Sequence, residues 1–137
     1  MKVVLDTNVV IDAVALRQPF CEDAKRILLM VAEEMFTGYL TANSVTDIFY
    51  VVRRSLQESK ARKIIRSLLY SLEVIELSGE DCRQALDLAI GDFEDALLAT
   101  CAKKIGADYI ISRDEDFSKT ICPVQIISPS EFLLKLS

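Results

Sequence analysis

Apolar residues recur along this chain in two rhythms, short β-prone runs and longer stretches at helical spacing, and the alternation lays out strands and helices in turn. Lys2-Val3-Val4-Leu5 is a short strand run that stops at Asp6-Thr7-Asn8, which are turn and cap formers. A short helix is expected from Val9 to Ala15, ended near Arg17-Gln18-Pro19. A longer one is expected over 20–35, with Ala24, Ile27, Leu28 and Val31 on one stripe and Gly38 as its breaker. Tyr39-Leu40-Thr41-Ala42 reads as a second strand. Asn43 or Ser44 then caps a helix running to about Leu56, with Val45, Ile48, Phe49 and Val52 at helical spacing. Ser59 opens another helix, with Ile64, Ile65, Leu68 and Leu69 as its apolar side. Glu73 to Leu77 reads as a strand, and Ser78 with Asp81 three positions on starts a helix to about Ile90. Gly91 punctuates. Asp92 to Ile105 is helical, stopped by Gly106 as a C′ glycine. Asp108–Ile111 and Val124–Ile127 are the last two strand runs. Ser128-Pro129-Ser130-Glu131 opens a final helix over 129–136, with a Ser cap, Pro at the first position and Glu at the third.

Strands alternating with helices or helix pairs predict an α/β fold, a three-layer sandwich with a central, mostly parallel sheet covered on both faces. The 137 residues suit one domain, residues 1–137, with no repeat, low-complexity tract or linker. Apolar residues make up 51% and the mean hydropathy is +0.27, enough for a substantial core. No apolar run reaches the roughly 18 residues of a membrane span. The opening segment meets an acid, Asp6, too early for a secretion signal, so the expected location is the cytoplasm. Cys21, Cys82, Cys101 and Cys122 form no C-x-x-C pair and read as reduced, small apolar residues.

The chain has no histidine, which removes imidazole bases, Ser-His-Asp and Cys-His catalysis, and His-based zinc sites. The net charge is −5, but it is unevenly spread. Arg53, Arg54, Lys60, Arg62, Lys63 and Arg66 form a basic stretch relieved only by Glu58. From Glu73 to Asp95 acids dominate, with Arg83 the lone base. A phosphate backbone suits the first stretch and a cation the second. A solvated helix face is an equally good reading of the basic run.

Sites in open α/β sheets form outside the carboxyl ends of the strands. Asp6 directly follows the first strand run, and Asp114 follows the fourth within Ser112-Arg113-Asp114. Asp92 and Asp95 are three apart in one first helical turn, and Asp47 lies one turn into the helix after the second strand. All five are placed at one sheet edge. Packed carboxylates repel, and hard divalent cations such as Mg²⁺ or Mn²⁺ resolve the repulsion. Each acid also has a bland structural role: Asp6 as a strand-end turn, Asp92 as a helix cap after Gly91, Asp95 as a complement to the helix dipole, Asp114 and Asp116 as turn residues.

Three segments together resemble the PIN-domain family. They are Val3-Val4-Leu5-Asp6-Thr7-Asn8-Val9, the run from Asp92-Phe93-Glu94-Asp95-Ala96 to Ala102, and Asp108-Tyr109-Ile110-Ile111-Ser112-Arg113-Asp114-Glu115-Asp116-Phe117. Their order and spacing cover nearly the whole chain. The resemblance implies a metal-dependent endoribonuclease using Mg²⁺ or Mn²⁺, akin to VapC-type toxins of toxin–antitoxin pairs. It places Asp6, Asp95 and Asp114 as metal-site acids and Asp47 as a further catalytic acid. Thr7, Asn8, Asp92 and Ser112 would support them, and Arg53, Arg54 and Lys60 would guide the RNA backbone. RNA, an antitoxin protein and a second copy of the chain are the implied partners, with no membrane. One departure stands out: the family usually carries Glu in the helix after the second strand, whereas Asp47 is one methylene shorter. That departure motivates an alternative, a PIN-like RNA- or protein-binding module with a degraded site. A phosphoaspartate phosphatase using Asp6 as nucleophile is the weaker alternative, because Asn8 stands where a second acid is wanted and Arg113 is a poor substitute for a Lys.

Overall fold

The computed structural model describes residues 1–137 and contains a five-stranded, all-parallel sheet. Its strands are β1 (Lys2–Leu5), β2 (Thr37–Thr41), β3 (Glu73–Ile75), β4 (Tyr109–Ile111) and β5 (Ile126–Ile127), in the spatial order β3-β2-β1-β4-β5. The chain winds outward from β1 through β2 to β3, then crosses back to β4 and β5. The strand order therefore reverses between β1 and β4, and a crevice opens at their carboxyl ends. Val3 pairs with Gly38 on one side and Tyr109 on the other, so β1 is central. Val3, Val4 and Leu5 are all fully buried, as a strand covered on both faces requires.

Side-chain alternation sends Val3, Leu5, Leu40, Ile111 and Ile127 to one face. There they meet α1 (Thr7–Val14), α2 (Cys21–Ala32), α3 (Ala42–Arg53), α4 (Glu58–Ser71) and α8 (Pro129–Leu136). Val4, Ile75 and Ile110 face the other way, onto α5 (Gly79–Leu86), α6 (Phe93–Lys104) and the short α7 (Glu115–Ser118). The three-layer expectation holds. From Ala96 to Ala102 every residue of α6 is buried, because small residues let α5 and the sheet approach closely; Thr100 satisfies its hydroxyl on Ala96 O at 2.8 Å.

Several boundaries differ from the sequence reading. Helix α1 begins at Thr7 rather than Val9, so its first turn springs directly from Asp6. Helix α2 ends at Ala32, and Glu34 takes the left-handed conformation (φ 61°) that stops it; Gly38 is not the breaker but lies inside β2. A Cβ there would come within 2.8 Å of Leu72 and 2.9 Å of Val31, so glycine is needed for close approach. Helix α3 starts at Ala42 with no side-chain cap, and α4 starts at Glu58 behind an uncapped Gln57. Leu69 is exposed rather than part of the apolar side of α4, whose one buried residue is Ala61. Strand β3 stops at Ile75, α5 stops at Leu86, and β5 is only Ile126–Ile127. The capping box Ser78/Asp81, the Asp92 cap, Gly106 at φ 68° and the Ser128 cap all stand as expected. All four cysteines are free, with Cys21 and Cys101 buried.

Candidate active site

The crevice at the carboxyl ends of β1 and β4 is walled by carboxylates. Asp6, Asp47, Asp92, Glu94, Asp95 and Asp114 line one cavity of about 360 Å³, together with Thr7, Asn8, Asn43 and Arg17. Each acid arrives for a local reason. Asp6 and Asp114 are the N-cap residues of α1 and α7, directly after the strand ends. Asp92 caps α6 by accepting Asp95 N at 3.0 Å, and this turns Glu94 and Asp95 of the first helical turn toward the crevice. Asn43 and Asp47 are four apart on α3 and share a face.

Hydrogen bonds tie the two strand ends together. Ser112 Oγ donates to Asp6 Oδ2 at 2.7 Å and accepts Asp114 N at 3.1 Å, bridging two acids that are distant in sequence. Asn8 Nδ2 donates to the same Asp6 oxygen at 3.3 Å, and Asp6 N continues the ladder to Ile111 O at 2.9 Å. The hydroxyls of Thr7 and the buried Ser44 meet each other, locking α1 to α3. Beneath this layer Arg113 forms a two-pronged pair with Asp12 of α1, Nε to Oδ2 at 2.5 Å and Nη2 to Oδ1 at 3.1 Å. Asp12 is only 1% exposed, so this pair fixes the Ser112–Asp114 segment against α1.

The electrostatics are those of crowded like charges. Burial pushes the Asp95 carboxyl up to about 7, helped by Asp92, Asp6, Asp114 and Glu94. Burial likewise raises Asp6, against the Ser112 hydrogen bond and with Asp114 and Asp92 adding to the rise. Glu94 is raised by burial and then by Asp47, Asp92 and Asp6. The Asp12 hydrogen bond raises Arg113 instead, holding its charge beneath the acids. The acids surround the cavity without any three closing into a preformed ligand cluster.

The donor set suits a hard cation, for it is entirely oxygen. Two buried acceptors reinforce this: Asn8 Oδ1 and Asn43 Oδ1 have no hydrogen-bond partner. An unmet buried acceptor costs about 1–3 kcal/mol, and both belong to residues that line this cavity.

The structure thus brings Asp6, Asp47, Asp92, Asp95, Asp114, Thr7 and Asn8 to one cavity, with Ser112 just beneath. It does not bring Arg53, Arg54 and Lys60 there. Helix α3 leaves the sheet's carboxyl edge at its N-terminus and carries Arg53 roughly 9 Å along the axis beyond Asp47. Arg53 instead donates to Leu56 O at 2.9 Å. Sequence reasoning missed Glu94, Asn43, Arg17 and the Asp12–Arg113 pair. Glu94 had a legible signal, since it shares the first turn of α6 with Asp95; Arg17 and Asp12 had none that is local.

A family model described as PIN domain matches residues 2–116. No curated protein matches the sequence. Among solved structures, VapBC2 from Rickettsia felis bound to a promoter DNA fragment is similar at 18% identity, over 93% of this chain and 98% of that one, with a TM-score of 0.70. DNA-bound VapBC from Salmonella typhimurium is 15% identical over 94% and 98%, also at 0.70. VapC20 of Mycobacterium tuberculosis, a sarcin-ricin loop cleaving toxin, is 17% identical over 85% and 92%, at 0.66.

Proposed function

Because the chain belongs to the PIN-domain family, we propose that it is a metal-dependent endoribonuclease and the toxin of a toxin–antitoxin pair. The observation that carries this reading is the gathering of six carboxylates around one cavity at the switch point of the sheet. Asp6, Asp95 and Asp114 would hold Mg²⁺ or Mn²⁺, with Asn8 adding an amide oxygen. A bound divalent ion supplies the water activation and leaving-oxygen stabilisation that a chain without histidine lacks. Ser112 holds the Asp6 carboxylate in place, and the Asp12–Arg113 pair holds Asp114 beside it. Asp47 is the short acid of the set. Glu94, one methylene longer and close enough to Asp47 to be raised by it, supplies the missing reach from α6.

Arg17, exposed on the cavity wall and in no ion pair, meets the substrate phosphate. On a longer RNA, Arg53, Arg54 and Lys60 would contact phosphates beyond the cleft. The toxin–antitoxin neighbours support an antitoxin as the second partner; a second copy of the chain is a third, read from the family resemblance alone. No helix is long and apolar enough to cross a membrane.

The test is cleavage of an end-labelled RNA pool by purified protein with Mn²⁺. The native chain is expected to cut, and Asp6→Asn and Asp95→Asn to fall to background. Cutting that survives both substitutions, or a native protein that cuts nothing, would overturn the reading.

A further inference from the structure

A second groove, of about 370 Å³, adjoins the acidic cleft and shares Asp114 with it. That volume is in the range of small-ligand sites. Phe20 and Arg113 both line it, and the Arg113 guanidinium carbon lies over the Phe20 ring, 4.2 Å from the centroid. Phe20 is 41% exposed, an apolar ring left in solvent beside the proposed catalytic acids. The surrounding walls carry Asp23, Glu115 and Glu131.

Three facts decide what such a groove can take. Arg113 is no phosphate clamp, because Asp12 already neutralises it and occupies Nε and Nη2. The three wall carboxylates and Asp114 repel a phosphate but accept hydrogen bonds from N–H groups. A half-exposed aromatic ring beside a guanidinium offers stacking surface, which single-stranded bases use on aromatic and Arg side chains. The groove therefore fits a base and rejects its backbone.

We propose that the groove beside the acidic cleft is a nucleobase subsite, in which a base flanking the scissile phosphate stacks on the Phe20–Arg113 pair. This rests on the ribonuclease reading above. The wall carboxylates favour bases with exocyclic amino groups, so guanine, adenine and cytosine are preferred to uracil at that position.

The test measures binding separately from cleavage. Short single-stranded oligoribonucleotides of mixed sequence are titrated by fluorescence anisotropy into Asp95→Asn protein, with and without Phe20→Ala. A matched set carries one abasic nucleotide at each position in turn. Phe20→Ala is expected to weaken binding roughly 5- to 150-fold, the size of one lost base–aromatic stack. An abasic nucleotide at one position should weaken binding to the Phe20 protein by a similar factor and not weaken the Phe20→Ala protein further, since both remove the same contact. Phe20→Tyr should restore affinity and Phe20→Leu, which keeps apolar bulk and guards against a folding artefact, should not. Additive losses at every position, or unchanged affinity in Phe20→Ala, would remove the subsite while leaving native RNA cleavage intact. If the native chain neither binds nor cuts RNA, the ribonuclease reading itself fails and the subsite goes with it.

Discussion

Asp95 shows how much strain the acid cluster stores in one residue. Its folded-state value of about 7 stands above the ordinary 3.8 because burial and four neighbouring acids disfavour its charge. Between those two values the folded chain holds a proton that the unfolded chain has released. Stability therefore falls as pH rises through that window, and the cost is fully present above it. Asp95→Asn keeps the shape and removes the charge. In EDTA near pH 8 (roughly one unit above that value) it is expected to stabilise the protein by about 1–2 kcal/mol, a figure reduced from the full shift because solvent screens a partly open side chain. Near pH 4 the gain should shrink toward zero. Urea melts at the two pH values measure it, and equal stabilities near pH 8 would show that Asp95 does not sit among repelling charges. The same substitution abolishes cleavage on the reading above, so activity and stability separate at one atom pair. Asp12 belongs to the same scale: invisible as a functional residue in the sequence, it is a buried charge whose partner carries both an acidic neighbour and an aromatic platform.

Elements in this fold are set by local signals at their ends and by contact in their middles. Ser78, Asp92, Gly106 and Ser128 act within a turn of their own position, and each helix boundary they mark was legible without a structure. Gly38 was not. Its sequence context suits a helix stop, yet it sits inside β2 where Val31 of α2 and Leu72, the residue that follows α4, press on the strand. Gly38→Ala is expected to cost about 1–3 kcal/mol by overpacking, because Val31 is buried and β-branched and cannot swing aside. Urea denaturation would show a lower midpoint with an unchanged slope; a variant as stable as the native chain would mean that α2 and α4 give way there. The uncapped starts of α3 and α4 teach the converse. A plausible cap in sequence, Ser44, is spent on a tertiary contact with Thr7, and the helix begins where strand β2 hands over to it.

For the molecule as a whole, the acidic cleft leaves a deficit that a cation would fill. A ligand that binds only the folded state at about 100 times its dissociation constant adds about 2.7 kcal/mol. Saturating Mn²⁺ is expected to raise the thermal midpoint of the native chain by several degrees and to leave Asp6→Asn unmoved. Superimposable melts of the native protein with and without Mn²⁺ would show that the cleft does not hold the ion. By itself the sequence determined the alternation of strands and helices, the parallel sheet, the caps at Ser78, Asp92 and Ser128, and the placement of Asp6, Asp47, Asp92, Asp95 and Asp114 at one edge, because these follow from periodicity and from interactions reaching no further than a helical turn. Only the tertiary structure decided that Glu94, Asn43 and Arg17 share that cavity, that the basic run of α3 and α4 lies away from it, and that Arg113 is spent on Asp12. Those outcomes depend on the strand order, which puts the end of β1 beside the end of β4 and so lets Ser112 reach Asp6 across 106 positions of chain. No local pattern encodes a contact of that span; it is fixed by which sheet neighbours bury the most apolar surface together.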